Sequence, residues 1–150
     1  MNVVLFVVLL ILAIAVIQAA IWIPLIRWAR RKTQQTLASM ISEAEQSGER
    51  LVLGPESGVY RGGTGSYGKV KGNGAMLLTD RRLVFRKLMG AGVEIPTITI
   101  TGSRRSKGFN GARTGGKTHL IVTTAEAEVG FFVSDIDAWE RAIESARPPA

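Results

Sequence analysis

The sequence predicts one membrane-spanning helix at its N-terminus, followed by a mainly-β barrel or sandwich of about seven antiparallel strands that a C-terminal helix caps. Residues 3–26 contain no charged side chain. Residues 48–134 are dense in glycine and contain short runs of β-branched and aromatic residues. Residues 134–146 have the apolar spacing of an amphipathic helix. Because the chain contains no cysteine, neither disulfide bonds nor thiolate chemistry contribute.

The uncharged run is long enough to cross a bilayer, because about 20 helical residues span a hydrocarbon core about 30 Å thick. A cleaved signal peptide has a basic segment before its apolar core and a small-residue cleavage site after it. Here no Lys or Arg precedes the run, and the basic residues follow it. We therefore expect a retained anchor, rather than a signal peptide or a buried core helix.

A basic cluster follows the anchor directly and contains Arg27, Arg30, Arg31 and Lys32. Positive residues beside a span remain on the cytoplasmic side. The sequence therefore predicts a single-pass protein of the cell (inner) membrane, with the N-terminus outside, the C-terminal domain in the cytoplasm and the lipid bilayer as a partner. The cluster either sets this orientation only or also binds anionic headgroups, at about 1 kcal/mol per charge.

Apolar residues recur at helical spacing after the basic cluster, and we expect this amphipathic helix to pack on the domain or on the membrane. Its apolar face is Leu37, Met40, Ile41 and Ala44. The final helix is expected to begin after an N-cap at Ser134 and to plug the open end of the barrel with Trp139. The predicted segments are an anchor with its basic flank at 1–32, a connecting helix at 33–47, the β-rich domain at 48–146 and a disordered tail at 147–150.

Three stretches of the β-rich part resemble a known family. Residues 74–85, GAMLLTDRRLVF, resemble the G-x-x-x-L-T-x-x-R-L-V-F hairpin of GRAM and bacterial pleckstrin-homology-like (PH-like) domains. Residues 93–100 are similar to the strands that follow, and residues 131–135 with Trp139 are similar to the last strand and helix. The resemblance covers roughly 48–146. It implies a bacterial PH-like fold and a non-enzymatic binding module, for lipid headgroups in some members and for protein segments in others.

The formal net charge of +7 and the pI near 10.4 favour an anionic partner. Residues 103–118 contain several basic residues and no acid, a pattern typical of anionic-lipid binding beside a membrane. Alternatively, this is a solvated, mobile loop. The headgroup candidates are Arg104, Arg105, Lys107, Arg113 and Lys117, together with Lys69 and Lys71 if the first strands lie nearby.

Nucleic acid is not favoured as a partner, because neither a platform of stacking aromatic residues nor a recognition helix is evident. Phe109 is a single aromatic residue within the basic loop. It could instead be a tip that dips into the bilayer.

Two segments match the sequence patterns of phosphate-binding loops but lack the other elements that those loops require. The segment from Gly111 to Thr118 satisfies G-x-x-x-x-G-K-T, but that mechanism needs a helix after the loop, and residues 119–124 are strand-like. We expect a glycine-rich hairpin loop there, with nucleotide binding as a remote alternative. Residues 63–70 match the glycine-rich loop of kinases, but no other kinase motif follows.

The sequence offers no constellation for catalysis. His119 is the one histidine, and no cysteine or second histidine is available to complete a metal site or a triad. We therefore expect no enzyme, no metal and no cofactor. Two functions remain: a membrane-anchored binding or scaffold module whose basic loop faces the inner leaflet, and a protein-interaction module or accessory subunit of a membrane complex.

Overall fold

The computed structural model of the protein describes residues 2–113 and 115–149. The chain forms two compact units, residues 1–34 and residues 35–150. Helix α1 (Val3–Gln46) supplies the first unit and continues without interruption into the second. Within the described residues, α1 is the one helix long and apolar enough to cross a membrane. The segment predicted as a connecting helix, 33–47, lies at the end of α1.

The second unit is built on a seven-stranded antiparallel sheet, as the sequence predicts. The strands are β1 (Leu51–Gly63), β2 (Gly72–Thr79), β3 (Arg82–Lys87), β4 (Val93–Pro96), β5 (Ile100–Ser106), β8 (His119–Thr124) and β9 (Glu128–Phe132). Their order in the sheet is β4-β3-β2-β1-β9-β8-β5. Two further short strands, β6 (Gly108–Phe109) and β7 (Ala112–Arg113), form a separate hairpin that the sequence analysis did not predict. Helix α2 (Ile136–Ala146) follows β9.

Strand β1 joins the two halves of the sheet because it is 13 residues long and pairs on both edges. Tyr60 lies opposite Gly72 of β2 on one side and opposite Phe131 of β9 on the other. Register shifts interrupt both pairings, and such irregularities bend a strand and increase its twist. The outermost strands β4 and β5 are separated only by the 3-10 turn Thr97–Thr99, so the sheet has to curl to connect them.

The concave face of the sheet holds the main core. The rings of Tyr60, Phe85 and Phe131 lie 5.6–5.8 Å apart between centroids. Trp139 of α2 is fully buried among them, and its Nε1 donates a hydrogen bond to Glu56 Oε1 at 2.7 Å. The prediction that α2 inserts this indole into the β-rich core is confirmed.

The start of α2 differs from the prediction by one residue. Asp135, not Ser134, is the N-cap, and its side chain accepts a hydrogen bond from Ala138 N at 3.0 Å. Ser134 is engaged elsewhere, because its hydroxyl donates to Glu56 Oε1 at 3.1 Å. The predicted N-cap at Ser134 is therefore wrong.

The last turns of α1 cover the opposite face of β2 and β3. Leu37, Met40 and Ala44 pack there in a second core. The strand residues of this core are Ala75, Leu77 and Val84. Strands β2 and β3 are consequently buried on both faces, which explains their near-continuous apolar sequence.

A charged network borders this second core. Glu43 of α1 pairs with Arg82 at 3.3 Å and also with Arg86. Arg82 in turn contacts Glu49 at 3.0 Å and Glu94 at 2.9 Å. Burial acts to raise the pKa of Glu43, but hydrogen bonds and attraction from Arg86 and Arg82 outweigh it and lower that pKa. The last turns of α1 are thus held to β3 by ion pairs as well as by packing.

Neighbouring residues of α1 provide a matched test of this packing. Met40 is 2% exposed and Ile41 is 38% exposed. We expect Met40→Ala to lower the free energy of unfolding by about 2–4 kcal/mol, because it leaves a cavity between α1 and the sheet. Ile41→Ala should cost less than about 1 kcal/mol. Chemical denaturation of the full-length protein in a neutral detergent measures both values, and equal losses would contradict this packing.

Glu56 provides a test of the α2 contact. Its Oε1 accepts hydrogen bonds from Trp139 Nε1, Ser134 Oγ and Ser134 N. We expect Glu56→Ala to lower the free energy of unfolding by about 1–3 kcal/mol, because the buried indole N–H loses its acceptor. Glu56→Gln keeps an acceptor oxygen and should recover most of that loss. The same denaturation assay compares the two variants, and a Gln variant as unstable as the Ala variant would exclude the hydrogen bond as the cause.

Candidate functional site

A group of basic and aromatic side chains lies on the outer face of β1, β8 and β9. Side chains alternate along a strand, and Tyr60, Leu120 and Phe131 face the core. Their neighbours therefore face outward. We name these outward residues and the lysines beside them the Phe132 cluster: Arg61, Lys71, Lys117, His119 and Phe132.

The ring of Phe132 is the centre of the cluster. The Arg61 guanidinium carbon lies 4.7 Å from the ring centroid, and the Lys117 ammonium lies 5.9 Å from it. Cations at such distances are attracted to the face of an aromatic ring. The imidazole of His119 stacks on the same ring, with centroids 4.5 Å apart. Arg61 of β1 and Lys117 of the loop before β8 therefore both lie close to one aromatic ring.

His119 lies buried beneath these cations. Its Nδ1 is 3.1 Å from the carbonyl oxygen of Ser106, which can only accept, so Nδ1 carries the proton. Its Nε2 then accepts a hydrogen bond from Arg61 Nε at 3.5 Å. Burial lowers the pKa of His119, the Ser106 carbonyl opposes this, and the charges of Arg61 and Lys71 lower the pKa further. His119 is therefore neutral at pH 7, and the charge of the cluster resides on Arg61, Lys71 and Lys117.

The ion pairs of the described residues do not include the cations of the cluster. Within residues 2–113 and 115–149, no Asp or Glu forms an ion pair with Arg61, Lys71 or Lys117. A buried neutral imidazole and an aromatic ring do not compensate three positive charges. The cluster is thus a surface with excess positive charge that an anion can neutralise.

Two of the predicted headgroup candidates are already neutralised. Arg104 donates to both carboxylate oxygens of Glu128, at 2.9 and 2.8 Å, and the hydrogen bond lowers the pKa of Glu128. Arg105 donates to Glu140 at 2.9 Å and also to Asp137, whose pKa it lowers. The basic loop contains no acid in sequence, but β9 and α2 supply acids in space.

The other predicted candidates are dispersed. Lys107 and Arg113 are exposed at the β6–β7 hairpin, and Lys69 is exposed in the loop between β1 and β2. Of the predicted set, only Lys71 and Lys117 join the Phe132 cluster. Arg61 was missed by the sequence analysis, although its position next to the apolar Tyr60 in an alternating strand is a signal that it faces outward. The basic residues of α1 are Arg27, Arg30, Arg31 and Lys32.

The β6–β7 hairpin covers part of the same outer face. Asn110 and Gly111 have φ of 49° and 75°, as the Asn-Gly pair of a two-residue hairpin turn requires. Phe109 is only 7% exposed and fills the space over Gly130, where an added Cβ would lie 2.6 Å from the ring. The expectation that Phe109 is a bilayer-dipping tip is therefore wrong, because Gly130 leaves a gap in the outer face that the aromatic ring occupies.

The segment from Gly111 to Thr118 does not have the surroundings of a nucleotide-binding loop. Strand β8, not a helix, begins at His119, so no helix N-terminus follows to hold a phosphate. Thr114 of this segment lies outside the described residues. Among the residues that the structure describes, no group of three His, Asp or Glu side chains could hold a metal ion.

A cleft of about 570 Å³ adjoins the Phe132 cluster. Lys117, Phe132, Ser134, Asp135 and Asp137 are among the residues that line it. A cleft of this volume is large enough for a small polar group. Its lining includes one cation and two carboxylates, so it carries both signs of charge.

No protein-family model matches the sequence, and no curated protein matches it. Solved structures that are similar to it include the C-terminal domain of an unknown protein from Leishmania infantum, with 16% identity and a TM-score of 0.49. That match covers 73% of this chain and 94% of the other. The Vps36 N-terminal PH domain is also similar, with 17% identity and a TM-score of 0.42. That match covers 66% of this chain and 82% of the other.

The lowered pKa of His119 makes stability depend on pH. The unfolded side chain titrates near 6.5, and the folded one titrates lower, so the unfolded state binds more protons in between and stability falls as pH falls. Lowering the pH from about 7.5 to about 5.5 should therefore lower the unfolding free energy of the full-length protein in neutral detergent.

The matched variant for this measurement is His119→Asn, whose amide N–H can still donate to the carbonyl of Ser106. Its unfolding free energy should change less than that of the wild type over the same pH range. Denaturant titrations at several pH values give both curves. Parallel curves for the two proteins would show that His119 does not carry the pH dependence.

Proposed function

We propose that the protein is a membrane-anchored, non-enzymatic PH-like module whose Phe132 cluster contacts anionic phospholipid headgroups at the inner leaflet. The observation that carries this proposal is the position of Arg61 and Lys117 at one aromatic ring, with Lys71 close enough to act on His119, and with no acidic ion-pair partner for these three among the described residues. Phosphate is the anion that such a surface fits best, since guanidinium and ammonium groups bind it by charge-assisted hydrogen bonds.

The architecture supports a PH-like binding module. Seven antiparallel strands are followed by one helix, and the resemblance in residues 74–85 falls on the β2–β3 hairpin, where it accounts for the buried residues of both faces. The residues that match the family are structural rather than chemical. A module of this kind acts by presenting a surface, so its function is argued from the surface and not from the fold.

The apolar helix supports membrane anchoring. The uncharged part of α1 has the length and composition of a span. The basic residues that follow it favour a cytoplasmic location for the second unit. A tethered module meets its lipid at high local concentration, so weak headgroup contacts are sufficient.

The alternative is a protein-interaction module or an accessory subunit of a membrane complex. The observation that favours it is the position of β4 and β5 at the two ends of the strand order. An edge strand presents backbone groups to which a partner's extended segment can pair. Mass spectrometry of the complex after mild detergent extraction from native membranes tests this alternative, which requires a second protein in stoichiometric amount.

The lipid proposal predicts that removing the charges of Arg61 and Lys117 weakens the stabilisation of the protein by anionic lipid. In nanodiscs, adding phosphatidylglycerol to phosphatidylcholine should stabilise the full-length protein, because a ligand that binds the folded state raises stability. The double variant Arg61→Gln, Lys117→Gln should lose about 2 kcal/mol of that lipid-dependent stabilisation, at about 1 kcal/mol per cation near the surface. Thermal unfolding of each protein in both lipid compositions gives the difference.

The matched control is the double variant Arg104→Gln, Arg105→Gln, which removes the same charge from cations that acidic partners already neutralise. Its lipid-dependent stabilisation should equal that of the wild type. Because every protein keeps Arg27, Arg30, Arg31 and Lys32, the contribution of that cluster cancels. Equal stabilisation of all three proteins would show that the Phe132 cluster does not bind the headgroup.

A further inference from the structure

One amide side chain lies within the apolar run of α1. Apart from the indole of Trp22, Gln18 is the only residue of 3–26 whose side chain has hydrogen-bonding groups. Gln18 is exposed, and within residues 2–113 and 115–149 its amide forms no side-chain hydrogen bond. Transfer of an amide from water into hydrocarbon without a hydrogen-bond partner is costly. In a bilayer, Gln18 therefore needs a partner from outside this chain.

The position of Gln18 in the run places its amide far from the headgroups. Gln18 precedes Arg27, the first charged residue after the run, by nine residues, which is about 13 Å along a helix. Half of a hydrocarbon core about 30 Å thick is about 15 Å, so Gln18 lies near the middle of the core when Arg27 lies at its boundary. Long basic side chains near helix ends extend to the interface, but Gln18 is too short and too deep to do so.

The residues that share a helix face with Gln18 are apolar. Positions three, four and seven residues apart lie on one face of a helix. The residues at these spacings from Gln18 are Ile11, Ile14, Ala15, Ile21, Trp22 and Leu25. Ala15 lies one turn before the amide, and its small side chain leaves room for a second helix to approach. This face therefore combines one polar group with surroundings that a membrane helix can pack against.

We infer that two copies of this chain associate in the membrane through a parallel pair of α1 helices, in which the two Gln18 amides hydrogen-bond to each other. An amide carries both an acceptor oxygen and N–H donors, so it is complementary to a second copy of itself. The basic residues after the run give every copy the same orientation, which brings both amides to the same depth. A different protein would have to supply a polar group at that depth, whereas a second copy supplies it by symmetry. The inference rests on the membrane anchoring of the proposed function and not on its headgroup contact.

Association in a neutral bilayer tests the inference without involving anionic lipid. The full-length Ser145→Cys protein, whose one cysteine is at an exposed position of α2, is labelled with a donor or an acceptor dye and reconstituted into phosphatidylcholine vesicles. We expect energy transfer that rises with the ratio of protein to lipid and that unlabelled wild-type protein reduces. Adding Gln18→Leu should weaken the association about three- to ten-fold, as for the loss of a hydrogen bond between membrane helices.

Two further variants are the matched controls. Gln18→Asn keeps an amide at the same position and should retain most of the association. Ile17→Leu changes the neighbouring residue without removing a polar group and should retain all of it. Equal association of the Gln18→Leu protein and the wild type would overturn the inference, and so would a wild type that is monomeric in the vesicles.

Disulfide cross-linking identifies the helix face that forms the contact. Two cysteines join only when their Cα atoms lie within about 7 Å of each other. Full-length Ile11→Cys and Leu25→Cys proteins, each changed seven residues from Gln18, should form disulfide-linked dimers when an oxidant is added to the vesicles. Val16→Cys and Ala20→Cys, on the opposite face, should form far fewer. Preferential cross-linking at positions 16 and 20 would overturn the inference.

Carbonate extraction separates this inference from the proposed anchoring. The Gln18→Leu protein is more apolar than the wild type, so both should stay with the membrane. A wild type that stays with the membrane but does not associate would overturn the homodimer and leave the proposed function intact. A wild type that carbonate removes from the membrane would overturn the anchoring and the homodimer together.

Discussion

The two-sided character of strand β1 is the constraint on which the rest of the domain depends. Its edges pair with β2 and β9, so it holds the two halves of the sheet together. Neighbouring residues of β1 lie on opposite faces: Tyr60 packs in the aromatic core, and Arg61 lies on the outer surface at Phe132. A slip of one residue would exchange these faces. The same pairing that closes the core therefore positions the guanidinium of the candidate site.

Several elements could be predicted from sequence because their signals are local. The uncharged run defines α1, and the spacing of apolar residues in α2 brings Trp139 to the core. The Asn-Gly pair at 110–111 is an equally local hairpin signal, but here it was overlooked within a loop interpreted by charge. The N-cap of α2 was predicted one residue too early, at Ser134 instead of Asp135. The choice between these two neighbours depends on Glu56, which is far away in the chain and accepts a hydrogen bond from the Ser134 hydroxyl.

The candidate site was predictable only in part, because basic residues in an acid-free segment can pair with acids that the fold brings from elsewhere in the chain. Residues 103–118 contain no acid, yet Arg104 and Arg105 are paired with acids of β9 and α2. Strand alternation sends the two arginines to different partners, which a pattern of basic residues does not reveal. Excess charge remains where Arg61 and Lys117 meet at the Phe132 ring, with Lys71 acting on the neighbouring His119. This arrangement depends on strand pairings that only the fold establishes.

Two elements cover parts of the outer face of the sheet and leave the Phe132 cluster uncovered between them. The last turns of α1 cover β2 and β3 through Leu37, Met40 and Ala44. The β6–β7 hairpin covers β9 through Phe109, which lies on Gly130. Between these two covers lies the region of Arg61 and Phe132, whose side chains stay partly exposed. Burial lowers the pKa of His119 beneath them, so the positive charge of that region at pH 7 comes from the arginine and the lysines and not from the imidazole.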